Sequence, residues 1–215
     1  MKVKKIVFVL TLSLFFSMIF AENLRLEAIC SGLAKNPVTT GDFVQIKTIN
    51  ANGRQLKSSG NFIISPYGIM WKTLKPFPSC LVVTEISMIQ TSANGKESVM
   101  SAEDNQIFKN IAATLRSVFA GDSRELKNHF IVEFDESDLG QNVLGNWKII
   151  LTPKDSTIAM VMKTLELTGS QDSDFVLLNS LEMQETSNNK ICYEFSNQKY
   201  SKELTDDEKS YFKIK

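Results

Sequence analysis

Residues 42–64 read DFVQIKTINANGRQLKSSGNFII, and this stretch decides the fold of the chain. Apolar and polar residues alternate from Asp42 to Ile49, which predicts a strand that is buried on one face. Asn52-Gly53 is the dipeptide most typical of a tight hairpin turn, and the return strand is predicted over Gln55–Ile64. The β region of the chain therefore opens with an antiparallel hairpin.

Further strands follow this hairpin, and turn residues separate them. Pro66-Tyr67-Gly68, the prolines 76 and 78, and Asn94-Gly95 mark turns in the first part of the chain. About ten antiparallel strands are predicted in all. Those after the hairpin cover Ile69–Leu74, Cys80–Thr91, the segment up to Met100, Phe130–Phe134, Trp147–Leu151, Thr157–Leu167, Phe175–Met183 and Lys190–Phe195.

Two helices interrupt the β pattern. The first is short and is predicted by an apolar face with helical spacing that consists of Leu26, Ile29, Cys30 and Leu33. The second is predicted over Asn105–Phe119, and its apolar stripe contains Ile107, Ile111 and Leu115.

The number of strands and the apolar helix stripe together define the fold class. A sheet of this size must curl to bury one face. A helix in the mouth of the curled sheet would bury its stripe against that same face. The sequence therefore predicts a mainly β fold with helices (α+β), in which a strongly curled antiparallel sheet carries a helical lid.

The first residues have the pattern of a secretory signal peptide. Lysines at 2, 4 and 5 precede an apolar run from Ile6 to Phe20, and the small residue Ala21 precedes polar Glu22. The run is shorter than the roughly 20 residues that a spanning helix needs. We expect a signal peptide over residues 1–21, one domain over residues 22–200 and a charged C-terminal tail over residues 201–215.

Charge and motif content exclude several functional classes. Lys+Arg and Asp+Glu both total 24, and the chain without residues 1–21 has a formal charge of −3, which argues against nucleic-acid binding. His129 is the only histidine, and it is interpreted as a surface residue at the start of a strand. The sequence has no hydrolase elbow, phosphate-binding loop, dinucleotide fingerprint or zinc-protease motif. We therefore expect a protein that is not an enzyme and that needs no metal or cofactor.

The three cysteines are Cys30, Cys80 and Cys192. An odd number is no disulfide framework, and both one disulfide and three buried thiols are compatible with the sequence. Cys30 follows Glu27-Ala28-Ile29, which is unlike the small residues before a lipid-modified cysteine. A soluble mature protein is therefore expected.

Several short motifs resemble those of the outer-membrane lipoprotein carrier protein family (LolA-like). They are, in chain order, Asp42-Phe43-Val44-Gln45, the segment 53–62 (GRQLKSSGNF), Trp71, Pro76-Phe77-Pro78, Gly121-Asp122, the segment 147–154 (WKIILTPK), the segment 165–169 (LELTG) and Phe195-Ser196-Asn197. The family's main branch has an Arg-Pro pair before its tryptophan, where this chain has Ser65-Pro66. The chain is therefore more similar to a related branch that lacks the arginine.

The resemblance implies an unclosed β-barrel with a helical lid, and a function in lipid transport. Such a protein is a periplasmic carrier that shields the acyl chains of a lipoprotein, or of another acylated cargo, between the inner and outer membranes. An inner-membrane donor complex and an outer-membrane acceptor are the partners that it implies, and the carrier is expected to be a monomer.

The resemblance and strand alternation together assign the cavity. The residues expected on the concave, ligand-binding face are Phe43, Phe62, Ile64, Trp71, Met88, Trp147, Ile149, Met160 and Met162. Those expected on the lid helix are Ile107, Ile111 and Leu115. An adaptor module remains the alternative, in which the apolar faces form a closed core and a sheet edge binds protein partners.

Export with cleavage after Ala21 is the first testable prediction. N-terminal sequencing of the protein isolated from its native host should begin at Glu22. Mature protein that retains Met1 and sediments with membranes would contradict the prediction.

Overall fold

The computed structural model describes residues 25–35, 37–101, 122–134, 145–171 and 175–213. The expected signal peptide and the expected lid helix with Ile107, Ile111 and Leu115 lie outside these ranges.

All the described strands belong to one antiparallel sheet with eleven strands. The strands are β1 (Val38–Thr48), β2 (Gln55–Ser65), β3 (Gly68–Lys75), β4 (Ser79–Val83), β5 (Ser87–Ser92), β6 (Glu97–Ser101), β7 (Phe130–Phe134), β8 (Asn146–Pro153), β9 (Met162–Gln171), β10 (Val176–Glu185) and β11 (Lys190–Ser201). Their spatial order is β6-β5-β4-β3-β2-β1-β11-β10-β9-β8-β7. Because the edge strands β6 and β7 do not pair, the sheet is an open barrel, and the predicted fold class is confirmed.

Four described helices accompany the sheet. They are α1 (residues 25–33), α2 (Ser123–His129), α3 (Ser156–Ala159) and α4 (Asp206–Tyr211). No helix in the described part of the chain is long and apolar enough to cross a membrane.

Strand register gives the sheet two distinct faces. Phe43 on β1 lies opposite Phe195 on β11, and Phe62 on β2 lies opposite Trp71 on β3. Because side chains alternate along a strand, these residues share one side, which we call the front face. The opposite side, which carries Ile63, is the back face.

Helix α1 covers the front face over strands β7 to β10. Its predicted apolar residues Leu26, Ile29 and Cys30 are all buried in a cluster with front-face residues of these strands. A Cβ at Gly32 would lie 2.1 Å from a methyl group of Val176, so this glycine lets α1 approach β10 closely. One half of the front face therefore forms an ordinary helix-on-sheet core.

The C-terminal segment covers the back face over strands β2 to β4. Leu204 and Phe212 are buried against Ile63, Met70 and Val82. A capping box at Thr205 and Glu208 starts α4. The C-terminal segment 202–213 thus packs on the sheet through its buried apolar residues.

The strand predicted over Cys80–Thr91 is wrong, because the structure has two strands with a turn between them. The Thr84 hydroxyl accepts hydrogen bonds from the backbone N–H groups of Ile86 and Ser87, and these contacts close the turn. The turn contains no glycine or proline, so the pattern gave no signal for it.

The strand predicted over Thr157–Leu167 is also partly wrong. Asp155 caps helix α3 by accepting hydrogen bonds from the N–H groups of Thr157 and Ile158. Strand β9 therefore starts only at Met162, and Met160 lies at the helix end with 64% of its surface exposed. Met160 is consequently not on the front face of the sheet.

His129 ends helix α2 instead of starting a strand. Its Nε2 lies 2.9 Å from Oε1 of Glu125, one helical turn earlier.

We predict that the C-terminal segment is required for stability. Phe212→Ala should lower the free energy of unfolding by about 2–3 kcal/mol, because it removes most of a buried aromatic side chain from the back-face core. Urea denaturation measures this change, and exposed Glu203→Ala in the same segment is the control with an expected change below about 0.5 kcal/mol. Equal unfolding midpoints for Phe212→Ala and the wild type would refute the prediction.

Candidate functional site

A cluster of aromatic rings occupies the front face over strands β11, β1, β2 and β3. Trp71 lies at its centre. The distance between the ring centroid of Trp71 and that of each neighbour is 4.9 Å for Phe43, 5.1 Å for Tyr193, 5.7 Å for Phe62 and 5.9 Å for Phe195. Tyr193 and Phe195 meet the indole edge-on, a favourable geometry for aromatic pairs.

Backbone register and one glycine place these rings. Gly41 on β1 lies opposite Phe62 on β2, and a Cβ at Gly41 would be 3.0 Å from the Phe62 ring. The Phe62 ring therefore lies over β1 at Gly41, where a residue with a side chain would clash with the ring. A similar pair lies in the other half of the sheet, where the Trp147 ring covers Gly169.

Aliphatic side chains extend the apolar surface toward the β6 edge. Ile64, Ile69 and Met88 are buried on the front face, while Leu81 and Val83 on β4 are half-buried there. These residues offer flexible or branched apolar groups without polar atoms. The surface suits a ligand that is apolar and variable in shape.

Polar pairs mark the end of this surface near the β1–β2 and β10–β11 turns. The Ser58 hydroxyl donates a 3.0 Å hydrogen bond to Gln45, and Lys47 Nζ lies 2.7 Å from Oε1 of Glu185. Burial raises the pKa of Glu185, but hydrogen bonds from Lys47, Asn189 and Ser187 outweigh it and hold the pKa below its ordinary value of 4.5. A charged pair thus borders the aromatic surface.

Two donors on the front face lack acceptors. Among the described residues, only the indole nitrogens Nε1 of Trp71 and Trp147 are buried side-chain polar atoms with no hydrogen-bond partner. A buried donor without a partner costs about 1–3 kcal/mol. Burial also raises the pKa of Tyr193 to about 12, so its hydroxyl stays protonated at neutral pH.

The structure divides the predicted cavity residues into three groups. Phe43, Phe62, Ile64 and Trp71 form one cluster, and Met88 is buried on the same face two strands beyond Trp71. Trp147, Ile149 and Met162 lie in the cluster that α1 covers. Met160 stands apart from both, as described above.

Sequence reasoning missed Tyr193 and Phe195 as members of the site. The strand containing them was predicted, and their alternation places them on one face. The sequence did not show that β11 pairs with β1 and so brings these two residues next to Phe43, because the two strands are far apart in the chain.

Burial raises the pKa of all three cysteine thiols. The three cysteines are free, and burial raises the pKa of the Cys30 thiol to about 11. A thiol with this pKa is almost entirely protonated at neutral pH and is therefore a weak nucleophile.

The model of the family described as outer membrane lipoprotein carrier protein LolA matches residues 35–215, which include all eleven strands. The chain belongs to the LolA family. The description of the family names an outer-membrane lipoprotein carrier, and membership supports a carrier-like function for this chain. The comparison with curated proteins found no match.

Solved structures of similar shape have very different sequences. A DUF1329 family protein from Desulfovibrio piger has a TM-score of 0.47 and 10% identity, covering 87% of this chain and 94% of its own. A Vibrio parahaemolyticus domain named for outer membrane lipoprotein sorting has a TM-score of 0.48 and 7% identity, with 89% and 98% covered. A LolA superfamily protein from Nitrosomonas europaea has a TM-score of 0.44 and 6% identity, with 86% and 95% covered.

Ser65 replaces the arginine expected from the family's main branch. It is buried, its hydroxyl lies 3.3 Å from the carbonyl oxygen of Gly68, and it accepts a hydrogen bond from the N–H of Tyr67. In this LolA family protein the position therefore helps to close the β2–β3 turn.

We predict that the Lys47–Glu185 pair stabilises the border of the site in a pH-dependent way. Because the folded-state pKa of Glu185 is lowered, its contribution is present above the ordinary value of 4.5 and is lost as the pH falls through the folded value. Glu185→Gln should lower the free energy of unfolding by about 1 kcal/mol at neutral pH and by much less near pH 3.

Urea denaturation at both pH values measures this difference. Glu97→Gln is the control, because Glu97 is half-exposed and lies 4.0 Å from Lys213. A loss for Glu185→Gln that is equal at both pH values would show that the charge is not responsible.

Proposed function

We propose that this protein is a periplasmic carrier that shields the acyl chains of lipoproteins, or of another acylated cargo, in transit from the inner to the outer membrane. The observation that carries the proposal is the apolar front face of an open sheet over strands β1 to β5, with the aromatic cluster at its centre. Membership of the LolA family supports the carrier role.

The strength of acyl binding is compatible with this role. Burying one CH₂ group contributes about 0.8 kcal/mol, so a chain of about 14 carbons gains on the order of 11 kcal/mol before other costs. Such binding holds a lipid in water without a covalent bond. Release then requires a partner or membrane that offers the chain an equally apolar environment.

Donor and acceptor proteins follow from this energetic requirement. We propose an inner-membrane donor complex that loads the cargo and an outer-membrane acceptor that receives it. The sequence contains no phosphate-binding loop, so nucleotide energy for loading would come from the donor.

The polar border of the apolar surface supports one orientation of the proposed cargo. Its polar side chains Gln45, Ser58 and Lys47 lie toward one end of strands β1 and β2. We infer that acyl chains occupy the aromatic and aliphatic region, with the polar part of the cargo toward these side chains or solvent.

A charge on the front face should weaken acyl binding. Leu81→Glu places a carboxylate on the apolar surface, where contact with a bound acyl chain would desolvate it. We expect the affinity for a fluorescent fatty acid to fall at least about tenfold, which corresponds to about 1.4 kcal/mol. Fluorescence titration of delipidated protein gives the dissociation constant.

Ile89→Glu is the matched control. Ile89 is also a half-buried aliphatic residue, but it lies on the adjacent strand β5 and on the back face. Its variant should bind the probe within about twofold of the wild type, and thermal midpoints should show that both variants are folded. A folded wild type that binds no acyl probe would refute the carrier function and favour an adaptor that binds protein partners.

A further inference from the structure

The unpaired indole N–H of Trp71 is an unusual feature of the front face. Nearly all buried polar groups in proteins have a hydrogen-bond partner, and exceptions call for an explanation. The four side chains whose rings surround Trp71 are those of Phe43, Phe62, Tyr193 and Phe195, and none of them accepts a hydrogen bond from it. The donor would therefore gain from an acceptor that a ligand supplies.

Trp71 differs from Trp147 in its access to a ligand. Trp147 is only 3% exposed, and it lies over Gly169 in the cluster that α1 covers. The side chain of Trp71 is only half-buried, and it lies in the half of the front face that carries the aromatic cluster. Part of the Trp71 ring is therefore open to contact, but its Nε1 is as inaccessible as that of Trp147, so a cargo acceptor reaches this donor only by displacing the groups that cover it.

Acyl cargo differs from plain hydrocarbon in carrying a carbonyl oxygen at the head of each chain. An ester or amide carbonyl is a good hydrogen-bond acceptor, whereas an alkane has none and an ether oxygen is a weaker one. A hydrogen bond inside an apolar site is also stronger than the same bond in water. A donor buried among apolar rings can therefore distinguish acyl chains from alkyl chains of equal length.

We propose that the Trp71 indole N–H donates a hydrogen bond to the carbonyl oxygen of an ester- or amide-linked acyl chain, and that the front face thereby selects acyl groups over alkyl chains. This inference rests on the proposed carrier function and adds the chemical class of the cargo. The bond fixes the head of the chain at the aromatic cluster, and the aliphatic surface of strands β3 to β5 receives the rest. The Tyr193 ring packs edge-on against the same indole, with a centroid distance of 5.1 Å.

The test compares two lysophospholipids that differ only in the carbonyl. They are 1-tetradecanoyl-lysophosphatidylcholine, which has an ester, and 1-O-tetradecyl-lysophosphatidylcholine, which has an ether, both used as monomers below their micelle concentration. We expect wild-type protein to bind the ester about fivefold to tenfold more tightly. In Trp71→Phe, which keeps an aromatic ring without the donor, the preference should fall below about twofold.

Trp147→Phe is the matched control, because it removes the other unpaired indole from the same face of the sheet. It should retain the preference for the ester even if it lowers the thermal midpoint. Loss of the preference in Trp147→Phe but not in Trp71→Phe would overturn the assignment to Trp71.

A spectroscopic measurement on the wild type keeps the test independent of whether the variants fold. The indole ¹⁵N–¹H signal of Trp71 should move downfield on titration with the ester lipid and much less with the ether lipid. The same shift with both lipids would contradict a carbonyl contact.

The source of the acyl group is resolved by a second pair of probes. A diacylglyceryl-cysteine peptide represents a lipoprotein, and the ester lysolipid represents a phospholipid, and tighter binding identifies the preferred source. If the wild type binds none of these lipids, the carrier function itself fails. If it binds ester and ether equally, the carrier function stands and only the role of Trp71 is refuted.

Discussion

Pairing between the first strand and the last is the interaction on which this structure depends. β1 bonds to β2 on one side and to β11 on the other, so it joins the N-terminal meander to the C-terminal one. In this register Phe43 on β1 lies opposite Phe195 on β11. The aromatic cluster depends on this register, because Phe195 also contacts Phe62 on β2. A slip by one residue would move Phe43 to the back face and remove it from Trp71. The site is therefore a product of strand pairing more than of any local motif.

The two halves of the sheet use their front faces differently. Over β7 to β10, helix α1 fills the face with Leu26 and Ile29, and Gly32 brings the helix close. Over β1 to β5, the face carries aromatic rings and aliphatic side chains that include an unpaired donor. The back face of this second half has its own core, which the C-terminal segment supplies. The core under α1 and the core under the C-terminal segment thus lie on opposite faces of one sheet and over different strands.

Local patterns predicted much of the fold. The hairpin at Asn52-Gly53, the apolar face of α1 and the strands after residue 175 follow from alternation, helical spacing and turn residues. The predicted strands were wrong where a side chain, and not glycine or proline, ends a strand. Thr84 between β4 and β5 and Asp155 before α3 do so by accepting hydrogen bonds from the backbone N–H groups that follow them. The alternation of apolar and polar residues does not hold across such a turn or helix. The prediction that Met160 faces the cavity is wrong for this reason, because Met160 lies at the end of α3 and not in β9.

The site was less predictable than the fold. Its residues on β1 to β3 were predicted from local alternation together with the family resemblance, but Tyr193 and Phe195 required the pairing of distant strands. No local pattern encodes that pairing. The unpaired state of the Trp71 donor was also beyond the sequence, because it depends on which atoms surround the indole in three dimensions.

The distance along the chain between β1 and β11 has a consequence for biosynthesis. Asp42 bonds to Asn197 across these strands, and the two residues are 155 positions apart. A chain made from its N-terminus can form the hairpin of β1 and β2 early, but the edge of β1 stays unpaired until nearly the whole protein has emerged. Phe43 and Trp71 remain without two of their aromatic neighbours during that time. Such non-local pairing slows folding and leaves an exposed strand edge that can aggregate. The nascent chain therefore exposes this strand edge and these rings for longer than a chain whose neighbouring strands all pair in sequence order.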